Sequence, residues 1–199
     1  MRTTEVIPGV VHWTALNHKI GSEVSSYYLP GPAIVIDALL PDEGVGALPG
    51  PVEQVVLNSG HHNRDAGVIA EDSGAPIRAI AEVAAYLKGD LSVEAVGHGE
   101  QFAPGVTALH IGVICDDEGA IHIEHGEGAL VIADAFRLKD GELGFFSDSL
   151  LGDDPEAVKS GLKAKFRELL TLEFDHLLFA HSDPLIGGGK ASLEAFVED

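Results

Sequence analysis

Residues 55–67 read VVLNSGHHNRDAG and decide the fold. Three apolar residues open this stretch, and such a run predicts a strand that is buried on both faces. An Asn-Ser-Gly sequence ends the strand, and imidazole, guanidinium and carboxylate side chains follow directly. Because loops at strand ends present functional groups on a rigid scaffold, the stretch predicts a polar site at the end of a buried strand.

Two other apolar strands end in the same way. Residues 131–134 read VIAD and end in the carboxylate of Asp134. Residues 177–183 read LLFAHSD, in which the imidazole of His181 follows the apolar part. Two imidazoles and a carboxylate at three strand ends could converge on a divalent metal, because Zn²⁺, Fe²⁺ and Mn²⁺ all accept mixed His/carboxylate sites.

The rest of the chain contains both strands and helices. β-Branched, aromatic and apolar runs predict strands over residues 6–15, 24–29, 33–37, 106–113, 120–123, 129–133 and 176–180. Apolar spacing and capping residues predict helices over residues 65–71, 80–87, 155–170 and 190–197. This order favours two sheets sandwiched between helices, or a similar layered α/β arrangement.

The charge balance excludes several classes of partner. The 199 residues include 32 acidic and 12 basic ones, which gives a formal net charge of −20. So acidic a chain repels a phosphate backbone, and we predict no nucleic-acid partner. We also predict no membrane association, since the sequence has neither a Lys/Arg run for an anionic surface nor an apolar run of bilayer length. The length suits one domain over residues 1–199.

Cysteine usage indicates the compartment. Cys115 is the single cysteine, so no internal disulfide can form and a reducing environment is favoured. Residues 1–5 lack the apolar core of a signal peptide. We therefore expect a cytoplasmic protein.

The order of these motifs resembles the metallo-β-lactamase superfamily. In that family a buried strand leads into the pattern His-x-His-x-Asp-His-x-Gly. This pattern is followed by a His in a Pro-Gly-rich turn, then by a strand ending in Gly-Asp, and then by a last strand ending in His. The resemblance covers nearly the whole chain and implies an α/β (α+β) fold, a four-layer αββα sandwich. Family sites hold one or two metals and usually hydrolyse esters, thioesters, amides or phosphodiesters.

The metal-binding motif is matched unevenly. With Gly67 on the motif's Gly, Gly60 falls on the first motif His and His62 on the second. Arg64 then falls on the motif Asp, and Asp65 on the third His. A guanidinium cannot bind a metal and stays charged, so Arg64 could replace the metal's charge with an ion pair.

The resemblance implies a reduced set of ligands. Ile114 stands where the His of the Pro-Gly turn belongs, and His110 fits that role only under a different alignment. The implied metal ligands are His62, Asp65, Asp134 and His181, with His61, Arg64 and His110 as further candidates in the cleft. The cofactor is then one divalent metal (Zn, Fe or Mn), or none.

Two functions stay open, and with them whether the protein is an enzyme. The first is a protein of this fold with a degraded metal site and weak or absent hydrolase activity, whose cleft binds a small molecule through Arg64. The alternative is a metal-dependent hydrolase of a small ester, thioester or amide. An interaction module is a third hypothesis, and a homodimer is compatible with each of the three.

Overall fold

The computed structural model describes residues 2–198, and its first sheet has seven strands. In chain order and in sheet order they are β1 (Thr4–Ile7), β2 (Val10–Asn17), β3 (Ser22–Leu29), β4 (Ile34–Ile36), β5 (Gln54–Leu57), β6 (Ile77–Ile80) and β7 (Val93–Val96). Strands β1 to β4 pair antiparallel. Strands β4 to β7 pair parallel, so their carboxyl ends lie at one edge of the sheet.

The second sheet has five strands in the order β14-β11-β10-β9-β8. They are β8 (Gln101–Ala103), β9 (Val106–His110), β10 (Gly119–Ile123), β11 (Ala129–Ile132) and β14 (His176–Phe179). A separate hairpin is formed by β12 (Arg137–Lys139) and β13 (Glu142–Gly144). Strands β11 and β14 are parallel neighbours, so their carboxyl ends also lie side by side.

Four helices complete the described part of the chain. They are α1 (Ala66–Ser73), α2 (Ala81–Tyr86), α3 (Pro155–Leu169) and α4 (Gly189–Glu198). Helix α3 begins where predicted, because the Asp154 side chain accepts a 3.0 Å hydrogen bond from the Ala157 amide and proline occupies the first turn. None of the helices within residues 2–198 combines the length and the apolar character of a membrane span.

The elements stack in four layers, as the motif order predicted. Alternate side chains of β11 point to opposite faces: Val131 joins the core between the two sheets, and Leu130 joins the core beneath α3 and α4. On the other side, Ile69 of α1 and Val83 of α2 pack against the first sheet. The αββα sandwich is therefore confirmed.

Some element boundaries differ from the predictions. The strand predicted over residues 6–15 is two strands, joined by a turn in which Gly9 has φ of 78°. The helix predicted over residues 80–87 is shortened at its start by β6, which was not predicted. Strand β6 is four residues long and lies between two parallel partners, so its pairing rather than its local sequence determines it.

Candidate metal centre

Three of the predicted ligands meet at the carboxyl ends of the parallel strands. His62 lies in a short 3₁₀ helix after β5, while Asp134 and His181 follow β11 and β14. The Nε2 atoms of the two histidines are 3.2 Å apart. Asp134 Oδ2 is 3.4 Å from His62 Nε2, and Asp134 Oδ1 is 3.1 Å from His181 Nε2. Two imidazoles and one carboxylate thus direct donor atoms at a common point.

These separations fit a divalent ion. Ligand atoms about 2.0–2.2 Å from a tetrahedral zinc ion are roughly 3.3–3.6 Å from one another. The separation of the two Nε2 atoms, 3.2 Å, and the distance from each to its nearest Asp134 oxygen, 3.4 and 3.1 Å, are close to that range. Nitrogen and carboxylate oxygen are also the ligand types that Zn²⁺, Fe²⁺ and Mn²⁺ share. His62, Asp134 and His181 therefore form a candidate metal-binding group.

Asp37 orients the first of these imidazoles. Its Oδ2 is 2.9 Å from His62 Nδ1, and its Oδ1 accepts a 2.8 Å hydrogen bond from the Asn58 amide. Both side chains of the pair are buried, with exposed fractions of 5% for His62 and 3% for Asp37. A carboxylate on Nδ1 fixes the ring so that Nε2 is the ligand atom, which is the usual arrangement behind a metal-bound histidine.

The charges of this group stabilise one another. Burial alone would lower the pKa of His62, but the Asp37 and Asp134 carboxylates outweigh it and raise this pKa to about 9. Burial would raise the pKa of Asp134, but hydrogen bonds from His181 and His62 hold it well below its usual range. In the metal-free protein His62 is thus an imidazolium, and binding of an ion must release its proton.

Glu118 lies behind Asp134 and was missed at the sequence level. Its Oε1 accepts a 3.1 Å hydrogen bond from the Asp134 amide, and its buried Oε2 has no partner. Burial, followed by the charge of Asp134, raises the pKa of Glu118 to about 8. The neutral form of this carboxyl is therefore favoured at neutral pH.

Arg64 is held by the backbone, not by the cleft. Its Nη1 donates to the carbonyl oxygens of Ser25, at 2.6 Å, and of Asp37. Burial lowers the pKa of this guanidinium, although the charges of Asp37 and Asp134 oppose that effect, and the group stays cationic. Arg64 is not among the residues that line the neighbouring cavity, so the geometry does not support the predicted grip on an anionic ligand.

The other three predicted residues lie apart from this group. Asp65 is not part of it, because its Oδ2 accepts a 2.7 Å hydrogen bond from the Leu40 amide. His110 is not part of it either, since its Nε2 lies 2.8 Å from the carbonyl oxygen of Asp116. His61 belongs to a different group of donor atoms, in which its Nε2 is 3.8 Å from Asp117 Oδ2.

A cavity of about 640 Å³ opens on the candidate metal-binding group. Asp134 and His181 form part of its wall, and apolar side chains such as Ile114, Phe146 and Leu151 form much of the rest. The ring of Phe146 lies edge-on to that of His181, with centroids 6.1 Å apart. An apolar cavity with a few convergent polar groups suits a small organic molecule.

Comparison with known proteins agrees with this architecture. No family model matches the sequence, and the comparison with curated proteins found no match. The DIM-1 metallo-β-lactamase exposed to ceftazidime has a TM-score of 0.74 at 16% identity, over 99% of this chain and 96% of that one. A metallo-β-lactamase from Pontibacter korlensis has a TM-score of 0.70 at 14% identity, over 100% and 99% of the two chains.

A third structure is a metallo-β-lactamase family protein from Thermus thermophilus. Its TM-score is 0.69 at 17% identity, over 97% of this chain and 79% of that one. The chain described here therefore has the metallo-β-lactamase fold, as its motif order predicted. At these identities the likeness establishes the fold, and the chemistry has to be argued from the site.

Proposed function

We propose that this protein binds one divalent ion, Zn²⁺, Fe²⁺ or Mn²⁺, through His62, Asp134 and His181, and hydrolyses a small ester, thioester or amide. The observation that carries the proposal is that the two imidazole Nε2 atoms lie 3.2 Å apart and that each lies within 3.4 Å of one oxygen of the Asp134 carboxylate. Three protein ligands with a further position open to solvent or substrate are the arrangement of catalytic zinc sites. When bound, such an ion makes water acidic enough to serve as a nucleophile near neutral pH.

The residues of the chain support this chemistry by position and charge. Asp37 holds the His62 ring through Nδ1, and Glu118 holds the backbone amide of Asp134. Asp134 and His181 face the cavity, so a substrate there lies beside the donor atoms. The apolar wall around Phe146 favours a substrate with an apolar acyl or leaving group and excludes water from the reacting bond.

One ion rather than two is proposed for the group of His62, Asp134 and His181, and the activity is expected to be weak. Gly60, Arg64 and Ile114 stand at three positions where the resembling family has ligands, and none of them offers a ligand side chain. The described residues place no separate general base in the group with His62, Asp134 and His181. Proton transfer would then have to rely on these residues and on water.

A metal-free function is the second candidate. The observation that favours it is charge balance, because the His62 imidazolium already pairs with Asp37 and Asp134. A fully hydrogen-bonded polar cluster can persist without an ion. In that case the cavity binds a small molecule without hydrolysing it.

Metal content of the purified protein decides between the two candidates. The protein is prepared without a chelating tag and compared with His181→Ala and with His110→Ala, a matched histidine outside the group. We expect at least one equivalent of Zn, Fe or Mn in the unaltered protein and in His110→Ala, and one equivalent fewer in His181→Ala. No metal in any of them, with melting unchanged by added Zn²⁺ or Mn²⁺, would overturn the hydrolase proposal and leave the metal-free one.

A further inference from the structure

A second group of donor atoms includes His61, which precedes His62 in the same 3₁₀ helix. It consists of His61, Cys115 and Asp117, whose ligand atoms all lie within 4.8 Å of one another. His61 is exposed, Cys115 is half-buried and Asp117 is buried. The group shares no residue with His62, Asp134 and His181, and it takes its donors from a thiol, an imidazole and a carboxylate.

One oxygen of the Asp117 carboxylate lacks the partner that its burial demands, although the carboxylate also interacts with the Cys115 thiol. Asp117 Oδ2 is buried and makes no hydrogen bond, and only 10% of the side chain is exposed. The His61 Nε2 atom stands 3.8 Å away, beyond hydrogen-bonding distance. A buried carboxylate oxygen without a partner is costly, so this atom points to a cation that completes its surroundings.

Gly60 provides the space in which this carboxylate sits. A Cβ atom at Gly60 would lie 2.2 Å from Asp117 Oδ2 and 2.4 Å from Tyr86 Cδ1. Any other residue would therefore displace the carboxylate or the tyrosine ring. The His61 ring packs against the same Tyr86 ring, with centroids 5.1 Å apart, and is thereby held on the side of Asp117.

We propose that His61 Nε2, Cys115 Sγ and Asp117 Oδ2 bind a second divalent ion of the Zn²⁺ type. Thiolate, imidazole and carboxylate are the three ligand types of zinc, and the thiolate favours a borderline-soft ion over Mg²⁺ or Ca²⁺. As the sulfur–metal bond forms, the thiol proton is released to solvent and no electron is transferred.

The state of the cysteine agrees with this assignment. Burial, followed by the charges of Asp117 and Glu118, raises the pKa of the Cys115 thiol to about 12. Without an ion the thiol is therefore protonated and inert, and a bound cation reverses that preference. His61 and Cys115 line the same cavity as Asp134 and His181, so both donor groups face one binding space.

A cobalt titration tests this second site without any activity assay. Co²⁺ replaces Zn²⁺ in such sites, and a cobalt–thiolate bond produces a charge-transfer absorption in the near ultraviolet. We expect the metal-free protein to take up two equivalents of Co²⁺ with this absorption. Cys115→Ser should bind one equivalent without it, and Asp117→Asn should weaken the absorbing site at least tenfold. Thermal melting of each variant confirms that it is folded.

His181→Ala separates this proposal from the one-ion hydrolase. It should keep the thiolate absorption and one equivalent of Co²⁺, because it belongs to the other group. An absorption that persists in His181→Ala supports the second site even if the first site proves empty. If the unaltered protein binds one equivalent of Co²⁺ and shows no thiolate absorption, the second site is overturned and the first remains. A single equivalent whose absorption is lost in both Cys115→Ser and His181→Ala would show one shared site and overturn the inference.

Discussion

The two donor groups that begin at His61 and His62 of the 3₁₀ helix Gly60–His62 differ in how their charges are satisfied. In the group of His62, every carboxylate has an imidazole within 3.4 Å, and Asp37 fixes the ring from behind. In the group of His61, Asp117 Oδ2 has no hydrogen-bond partner, and burial and the neighbouring carboxylates hold the Cys115 thiol in its protonated form. The first group is therefore organised before an ion arrives, whereas the second depends on the ion for its electrostatic balance.

Removing the charge of Asp37 should produce the largest effect. Asp37→Asn keeps the shape and tolerates the φ of 45° at this position, but leaves the buried His62 imidazolium without its closest anion. We expect a loss of about 3–5 kcal/mol in the free energy of unfolding, measured by urea denaturation of the metal-free protein. Metal affinity of the first group should also fall by about 10- to 100-fold.

The matched control is Asp42→Asn, which alters an exposed aspartate on the neighbouring loop. It should leave both stability and metal affinity unchanged within about 0.5 kcal/mol. Equal effects of the two variants would show that Asp37 does not organise the first group.

The metal-free protein should lose stability as the pH rises from about 6.5 to 9. The pKa of His62 is raised to about 9 in the folded state, so its stabilising contribution is complete below its unfolded pKa and is lost as pH rises through the folded one. The raised pKa of Glu118, about 8, acts in the same direction. Chemical denaturation at several pH values after treatment with a chelator should measure a loss of roughly 3 kcal/mol from His62 and about 2 kcal/mol more from Glu118, because one pKa unit corresponds to about 1.4 kcal/mol.

Glu118→Gln separates the two contributions to this pH dependence. The variant removes the carboxyl titration, so the loss that remains between pH 6.5 and 9 belongs to His62. Stability that stays constant over this range in the variant would contradict the imidazolium assigned to the metal-free state.

Gly60→Ala should distort the second group. The added Cβ would meet Asp117 Oδ2 and Tyr86 Cδ1 at 2.2 and 2.4 Å, so we expect about 1–3 kcal/mol of destabilisation in thermal or urea unfolding. Gly46→Ala is the matched control, because a Cβ there meets nothing within 4 Å. Identical stability of Gly60→Ala and Gly46→Ala would show that the space at Gly60 is not needed.

The smallest effect is expected at Asp65. Because its Oδ2 accepts a hydrogen bond from the Leu40 amide, Asp65→Ala should cost about 1 kcal/mol of stability and leave metal content unchanged. Elemental analysis measures the metal content of Asp65→Ala and of Asp134→Ala, and Asp134→Ala should lose the ion of the first group. A metal loss in Asp65→Ala equal to that in Asp134→Ala would restore Asp65 to the set of ligands.

Much of the fold and part of the candidate site follow from local sequence patterns. The buried strands β5, β11 and β14 are apolar runs, and each run ends where a polar residue begins, so the pattern identified His62, Asp134 and His181 as neighbours at one edge. Asp37 carries the same signal, a carboxylate after the apolar run of β4, but was interpreted only as part of a strand. Strand β6 was missed because its pairing partners, rather than its own residues, determine it.

By itself the sequence determined the layered fold, the edge at which the polar residues gather and the acidic character of the chain. Tertiary structure alone decided which atoms meet. It turned Asp65 toward Leu40, tied Arg64 to backbone carbonyls and brought Cys115 and Asp117 beside His61. The physical reason is that periodicity and capping act over a few neighbouring residues, whereas a donor group depends on packing between segments that are dozens of residues apart.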